Sequence, residues 1–173
     1  MRKNLVLTGM MGVGKSTIGK SLAKKLSYNF VDIDKLIEKK EGCTINLIFK
    51  RKGEGYFRKL ENDFSLQEFK RSNSVISLGG GAFLNKLIRT SSQKITVSFW
   101  LDVGIEELIK RLKKTNKRPL LYKKNLSEEI KKIYAERKKT YNEADFRIKC
   151  NFLKLNEIVD KILKLYEKSG NKI

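Results

Sequence analysis

Residues Gly9-Met10-Met11-Gly12-Val13-Gly14-Lys15-Ser16 read G-x-x-x-x-G-K-[ST], and they stand between an apolar run, Asn4 to Thr8, and a segment where Ile18, Leu22 and Leu26 recur every four residues. The run before them is short and apolar enough for a buried strand, and the four-residue spacing after them predicts an amphipathic helix starting near Lys15. Between the two, the glycines let backbone N–H groups converge on phosphate oxygens, and the helix start adds the positive end of its dipole. Lys15 can reach the outer phosphates and the Ser16 hydroxyl can ligate magnesium. At average residue usage the bare pattern arises by chance in on the order of 1% or fewer of chains this long. A strand before it and a helix after it make coincidence rarer still.

Outward from this loop the same alternation repeats. Short runs rich in β-branched or aromatic residues recur at Phe30 to Ile33, Val75 to Leu78, Ile95 to Leu101 and Phe146 to Cys150. Helical spacings lie among them: Phe57, Leu60 and Phe64; Ile105, Leu108, Ile109 and Leu112; Ile158, Ile162 and Leu165; and a further helix is expected over Glu129 to Thr140. Strand alternating with helix predicts an α/β fold, a parallel sheet covered on both faces that binds ligands at the carboxyl ends of its strands. With 173 residues, one Pro and no Ser/Gly-rich stretch, the sequence offers no linker, so one domain is expected over residues 1–173.

Composition narrows the chemistry. There is no His, and Cys43 and Cys150 are the only cysteines, which excludes imidazole acid–base catalysis, a Cys/His zinc site and a disulfide framework. No apolar run is long enough to span a bilayer, and Met1 leads through two basic residues straight into Leu5-Val6-Leu7 without a signal-like segment. A soluble, cytoplasmic protein is the expectation. Lys and Arg number 39 against 19 Asp and Glu, a formal charge of +20, but the lysines are scattered and form no long tail or aromatic-interleaved stripe. The charge therefore reads as a solvated basic surface whose field draws in polyanions such as nucleotides, with neither nucleic acid nor membrane as partner.

Four more clusters carry candidate chemistry. Asp32-Ile33-Asp34 closes the second expected strand, where side chains two apart share a face. One carboxylate can then serve the magnesium shell and the other orient and deprotonate an attacking hydroxyl; Asp-x-Asp is also a common helix cap. In Gly53-Glu54-Gly55-Tyr56-Phe57-Arg58-Lys59-Leu60-Glu61, Arg58 and Glu61 are three apart on a helix, either an ordinary ion pair or a guanidinium held to grip an acidic substrate. Gly79-Gly80-Gly81 follows the third expected strand and allows backbone to touch a ligand. Arg111 and the polar, basic stretch at about 113–126, with Arg118-Pro119-Leu120-Leu121 inside it, read as a lid that could deliver Arg118 to a transferring phosphoryl group. Trp100 and the two cysteines read as packing residues.

In this order and spacing, Gly9 to Ser16, Asp32-x-Asp34, Gly53-Glu54-x-x-Phe57-Arg58-x-x-Glu61, Gly79 to Gly81 and Arg118 to Leu121 resemble the shikimate kinase family over nearly the whole chain. The resemblance implies a three-layer α/β/α P-loop kinase fold of the nucleoside-monophosphate-kinase type, with a five-stranded parallel sheet and a mobile lid. It implies transfer of the γ-phosphoryl group of ATP to the 3-hydroxyl of shikimate, in aromatic amino acid biosynthesis, by a monomer with one Mg²⁺. By the same resemblance Gly12, Val13, Gly14, Lys15, Ser16 and Thr17 wrap the phosphates, Ser16 and Asp32 serve Mg²⁺, and Asp34 binds the acceptor hydroxyls and acts as base. Arg58 and Arg137 would hold the shikimate carboxylate, Gly79, Gly80 and Gly81 would line the acceptor pocket within a region of about 33–61 and the glycine run, Arg118 would cap the transferring phosphate, and Arg111 would stack on adenine. The family's adenine loop falls around Asn151 to Leu155, which lacks the Pro often found there. A gluconate or nucleotide kinase of similar fold, an ATP-binding regulator and a basic nucleic-acid-binding protein are the competing readings.

Overall fold

β1 (Asn4–Thr8) lies at the centre of a five-stranded sheet that it forms with β2 (Asn29–Asp32), β3 (Ser74–Ser77), β4 (Thr96–Asp102) and β5 (Phe146–Lys149), in the order β2-β3-β1-β4-β5. Every neighbouring pair is parallel, with Leu5 opposite both Val75 and Val97. This computed structural model describes residues 3–114 and 126–171. Its helices are α1 (Lys15–Leu26), α2 (Ile33–Glu41), α3 (Ile45–Phe69), α4 (Lys86–Ile95), α5 (Ile105–Lys114), α6 (Leu126–Tyr141) and α7 (Leu155–Lys168), with a 3-10 turn at Ala82–Leu84.

Parallel neighbours need crossovers, and these are right-handed. The path from β1 runs outward through α1 to β2, whereas the path from β3 runs the other way through α4 to β4, so α1 and α4 cover opposite faces. α1 packs with α7, and α3 with α4. Covering both faces removes any need for polar alternation, which is why Leu5, Val6 and Leu7 are all fully buried, as are Val75, Ile76, Phe99 and Leu101. Trp100 and Cys150 are buried too, and the half-buried Cys43 packs against the same core. Among the described residues no helix is long and apolar enough to cross a membrane.

Because β1 and β3 are neighbours whose crossovers diverge, their carboxyl ends frame the crevice where a sheet of this type binds ligands. The loop Gly9 to Gly14 leaves one side of that crevice, and Gly79 to Gly81 leaves the other.

Two expected strand boundaries need correction. The second strand stops at Asp32, whose side chain accepts a hydrogen bond from the Lys35 N–H at 3.3 Å as the N-cap of α2. Ile33 and Asp34 are therefore helical, and the two carboxylates do not share a strand face. Ile95 ends α4 rather than opening β4 and is exposed; α2 and α4 lie outside the expected helices, although Ile33, Leu36 and Ile37 stand at helical spacing. The segment Ile45–Phe69 is broken at Gly53, whose φ of 80° and ψ of 170° are not helical, so a second helical stretch begins at Glu54. Of the region expected to form a lid, Lys113 and Lys114 end α5 and Leu126 opens α6; residues 115–125, Arg118 among them, lie outside the described residues.

Candidate active site

The phosphate-type loop has the backbone its glycines allow. Gly14, the residue before α1, adopts φ 101°, ψ 19°, and Gly9 has φ 134°, conformations that L side chains rarely reach. No side chain caps α1 and its first turn holds no acidic residue, so the N–H groups of Lys15, Ser16 and Thr17 and the positive helix end are presented to the crevice. Lys15 folds back across the loop, its Nζ donating to the carbonyls of Gly9 at 2.9 Å and Met10 at 3.0 Å. Val13 is buried and anchors the loop, and its carbonyl accepts from Arg111 Nη1 at 3.4 Å. Arg111 is also held by Glu107 at 2.9 Å.

The Ser16 hydroxyl donates to Asp32 Oδ2 at 2.7 Å. A hydroxyl at the start of α1 and a carboxylate at the end of β2, side by side, are hard oxygen donors, the type Mg²⁺ selects, and that ion ordinarily takes one or two protein oxygens and completes its shell with phosphate and water. Among the described residues no cluster of three or more acidic or thiol side chains offers an alternative cage. The residues present thus fit a magnesium–nucleotide complex.

Across the crevice, Arg58 is gripped by two carboxylates from its own helix: Glu54, at 3.0 Å from Nη2 and 3.1 Å from Nε, and Glu61, at 2.7 Å from Nη1. Glu54, Arg58 and Glu61 are spaced to fall on one helix face, and the break at Gly53 sets where that face begins. Glu61 is buried, and its second oxygen, Oε1, has no hydrogen-bond partner. Burial pushes its carboxyl above the ordinary value; the Arg58 guanidinium pulls it back, Asp34 adds to the rise and Arg137 opposes it.

The triple glycine makes room for this group. A Cβ on Gly79 would run into Glu61 Oε1 and lie 2.8 Å from Asp34 Oδ1, and one on Gly81 would lie 2.8 Å from Arg58 Nη1. A Cβ on Gly80 would stand 3.4 Å from the Met11 N–H nitrogen and 3.6 Å from Arg137 Nη1. None of the three has a positive φ, so the need is for space. Arg137, which its sequence neighbours leave unplaced, reaches the crevice from α6 and donates from Nη1 to the Gly80 carbonyl at 2.9 Å. Asp34, Arg58, Glu61 and Arg137 thus converge on one glycine run, and that run touches the phosphate-type loop at Met11.

The sequence model of the shikimate kinase family matches residues 11–167. The shikimate kinase of Sulfurihydrogenibium sp. is 45% identical over 161 residues, covering 93% of this chain and 96% of that protein. The chain belongs to the shikimate kinase family. Among solved structures, the shikimate kinase of Acinetobacter baumannii in complex with shikimate superposes with a TM-score of 0.91 at 30% identity, over 98% of this chain and 95% of that one. The deoxyadenosine kinase of M. mycoides, at 17% identity and a TM-score of 0.62 over 95% and 99% of the two chains, shares the fold alone. Family membership makes the chain a phosphotransferase.

Beside the shikimate kinase crevice, the carboxyl ends of β4 and β5 open on a cavity of 620 Å³, whose walls include Gly104, Glu107, Lys110, Tyr134, Asn151 and Phe152. Its size suits a small organic ligand. Asn151 Oδ1 accepts from the Gly104 N–H at 2.7 Å, which ties the loop after β5 to the loop after β4, and Phe152 is fully exposed at φ 60°. Asp102, at the end of β4, accepts from the Tyr134 hydroxyl at 2.8 Å and from Arg147 Nη2 at 2.6 Å. Burial, reinforced by Asp102, pushes the Tyr134 phenol up to about 12. The sequence assigns no role to Asp102, which acts across the fold and leaves no local pattern, nor to Glu54, although Glu54 stands within the quoted motif four residues before Arg58.

Proposed function

We propose that the chain, working as one kinase domain, transfers the γ-phosphoryl group of Mg·ATP to the 3-hydroxyl of shikimate, giving shikimate 3-phosphate and ADP for aromatic amino acid biosynthesis. The observation that carries this reading is the convergence of Asp34, Arg58, Glu61 and Arg137 on Gly79 to Gly81, directly against the phosphate-type loop. Two guanidinium groups suit the acceptor's carboxylate, with Glu61 and Glu54 holding one of them rigid. The relative from Acinetobacter baumannii is a complex with shikimate, and the same carboxylate–hydroxyl chemistry is assigned to this crevice.

Gly12 to Thr17 would cradle the phosphates through backbone N–H groups, with Lys15 moving from the Gly9 and Met10 carbonyls to the β/γ-phosphate oxygens. Ser16 and Asp32 would hold Mg²⁺, which when bound neutralises charge on the phosphate oxygens. Asp34 accepts the proton of the acceptor hydroxyl as that oxygen bonds to the γ-phosphorus and the bond to the β-phosphate oxygen breaks, releasing ADP. The cavity beside Arg111 and Asn151 would take the nucleotide base. The capping role of Arg118 rests on its sequence context. Little covalent chemistry falls to the protein in such a transfer; positioning and charge neutralisation are its contribution.

The test is ADP release from Mg·ATP by the purified protein with shikimate, gluconate, AMP or no acceptor in parallel. Strong stimulation by shikimate alone is expected. Turnover only with another acceptor would overturn the pocket assignment, and no turnover with any acceptor would overturn the activity.

A further inference from the structure

The Gly80 carbonyl receives two side-chain donors: Arg137 Nη1 at 2.9 Å and the Tyr141 hydroxyl. Both come from α6 and stand four residues apart, on one helix face. Arg137 is half-exposed, whereas Tyr141 is fully buried with its ring against Trp100, centroids 6.0 Å apart, and its hydroxyl 3.9 Å from Met10 Sδ. Burial raises the phenol above its ordinary range, against the pull of Arg137, so the hydroxyl is a neutral donor wherever the enzyme is assayed.

Gly80 and Gly81 have no side chains; the Ala82 N–H closes a turn around them on the Gly79 carbonyl at 3.1 Å, and without side chains such a turn admits either orientation of its central peptide, Gly80–Gly81. A planar trans peptide whose carbonyl is held toward α6 must turn its N–H the opposite way. Arg137, for its part, is a long side chain that loses rotamer freedom on being held, and a carbonyl that can swing holds it poorly. Packing fixes Tyr141 where the guanidinium cannot be fixed, and through the shared oxygen it sets both the Gly80–Gly81 peptide and the direction of Arg137.

We propose that Tyr141 is a positioning residue for the acceptor, acting through the Gly80 carbonyl on Arg137 and on the glycine run. This rests on the assignment of Arg137 and Gly80 to the acceptor pocket. It predicts a specific split in Tyr141→Phe, which removes one hydroxyl and keeps the ring: the KM for shikimate rises about three- to tenfold, the size of one neutral hydrogen bond, while the KM for ATP stays within about twofold. Ile130→Val, at a buried position of α6 seven residues before Arg137, controls for loosening of the helix and should leave the shikimate KM unchanged.

The experiment measures both KM values for the wild type, Tyr141→Phe, Ile130→Val, Arg137→Ala and the Tyr141→Phe/Arg137→Ala double variant, with thermal melts of each. The expected result is a selective shikimate effect of Tyr141→Phe that shrinks once Arg137 is absent and only the route through the glycine run remains, the non-additivity of residues sharing a partner. An unchanged shikimate KM in Tyr141→Phe, a parallel rise in both KM values, a matching rise in Ile130→Val, or a full penalty persisting in the Arg137→Ala background would each overturn it. Failure of the underlying reading looks different: Arg137→Ala itself would leave the shikimate KM unaltered, or the wild type would not use shikimate.

Discussion

Replacing the buried Gly79 by Ala adds one methyl group, yet it should be among the most damaging single substitutions in the crevice. The new Cβ would overlap Glu61 Oε1 and stand 2.8 Å from Asp34 Oδ1, where ordinary contact begins near 3.4 Å. Asp34 must therefore retreat by about 0.6 Å and Glu61 by more, at a site where a displacement of about 1 Å can cost about 10²-fold in rate. Glu61 has nowhere to go, being 1% exposed and tied to Arg58 at 2.7 Å. The expected fall in kcat/KM for shikimate is about 30- to 100-fold, or about 2–3 kcal/mol, with a stability loss of about 1–3 kcal/mol from overpacking. Gly80→Ala is the matched control. Its Cβ would meet the Met11 nitrogen at 3.4 Å, Arg137 Nη1 at 3.6 Å and the Gly9 carbonyl oxygen at 3.8 Å, all ordinary contacts, so its kcat/KM should stay within about threefold. Steady-state ADP release and thermal melts on both variants decide the matter: Gly79→Ala within threefold of wild type, or Gly80→Ala equally impaired, would refute the argument that this glycine exists to admit two carboxylates.

Lys15→Ala and Asp34→Asn should each remove most turnover while leaving the thermal melt near wild type, because Lys15 lies at the open loop and Asn keeps the shape of Asp; near-normal rates in either would refute the assigned roles. Arg58→Ala should raise the shikimate KM more than it lowers kcat and also destabilise the fold, since it leaves the buried Glu61 carboxylate without its cation; an unchanged KM would move the carboxylate clamp elsewhere. Burial lifts the Glu61 carboxyl above 4.5, so the folded state holds that proton more tightly than the unfolded chain: the contribution is fully present below about pH 4.5 and is lost as pH rises through the raised value. Wild-type stability relative to Glu61→Gln should accordingly fall with rising pH in melts from about pH 4 to 8, and a difference that grows with pH would show the sign to be wrong. The Cys150 thiol, pushed up to about 11 mainly by burial, should resist alkylation at about pH 8 while the half-buried Cys43 reacts; two equally fast thiols would contradict the packing at the end of β5.

What could be read from sequence depended on whether an interaction closes within one element or across several. β1, the loop after it and α1 are contiguous, so their residues specify strand, turn and helix start together, and the Arg58–Glu61 pair is a helical neighbour relation visible in spacing alone. The boundary after β2 misled for a physical reason. β2 is a sheet edge, only partly buried, and Asp32 is as good a helix cap as a strand end; the cap won, and Asp34 enters the crevice from a helix. Arg137 is uninformative in its own helix because what places it is the Gly80 carbonyl on a distant turn.

The glycine run is the sharpest instance of that difference. Three successive residues without side chains signal close approach, and the natural expectation is that a ligand makes it. Part of the approach is instead made by this chain's own Asp34, Glu61, Arg58 and Arg137, arriving from α2, α3 and α6. Their charges could not be packed beside one another against a bulkier turn without moving the Arg58–Glu61 pair out of register or leaving more than one Glu61 oxygen unpartnered. A crevice that must bind a carboxylate and still deprotonate a hydroxyl needs cations and anions within a few ångströms of each other, and the fold achieves that density by leaving out carbon where the four side chains meet.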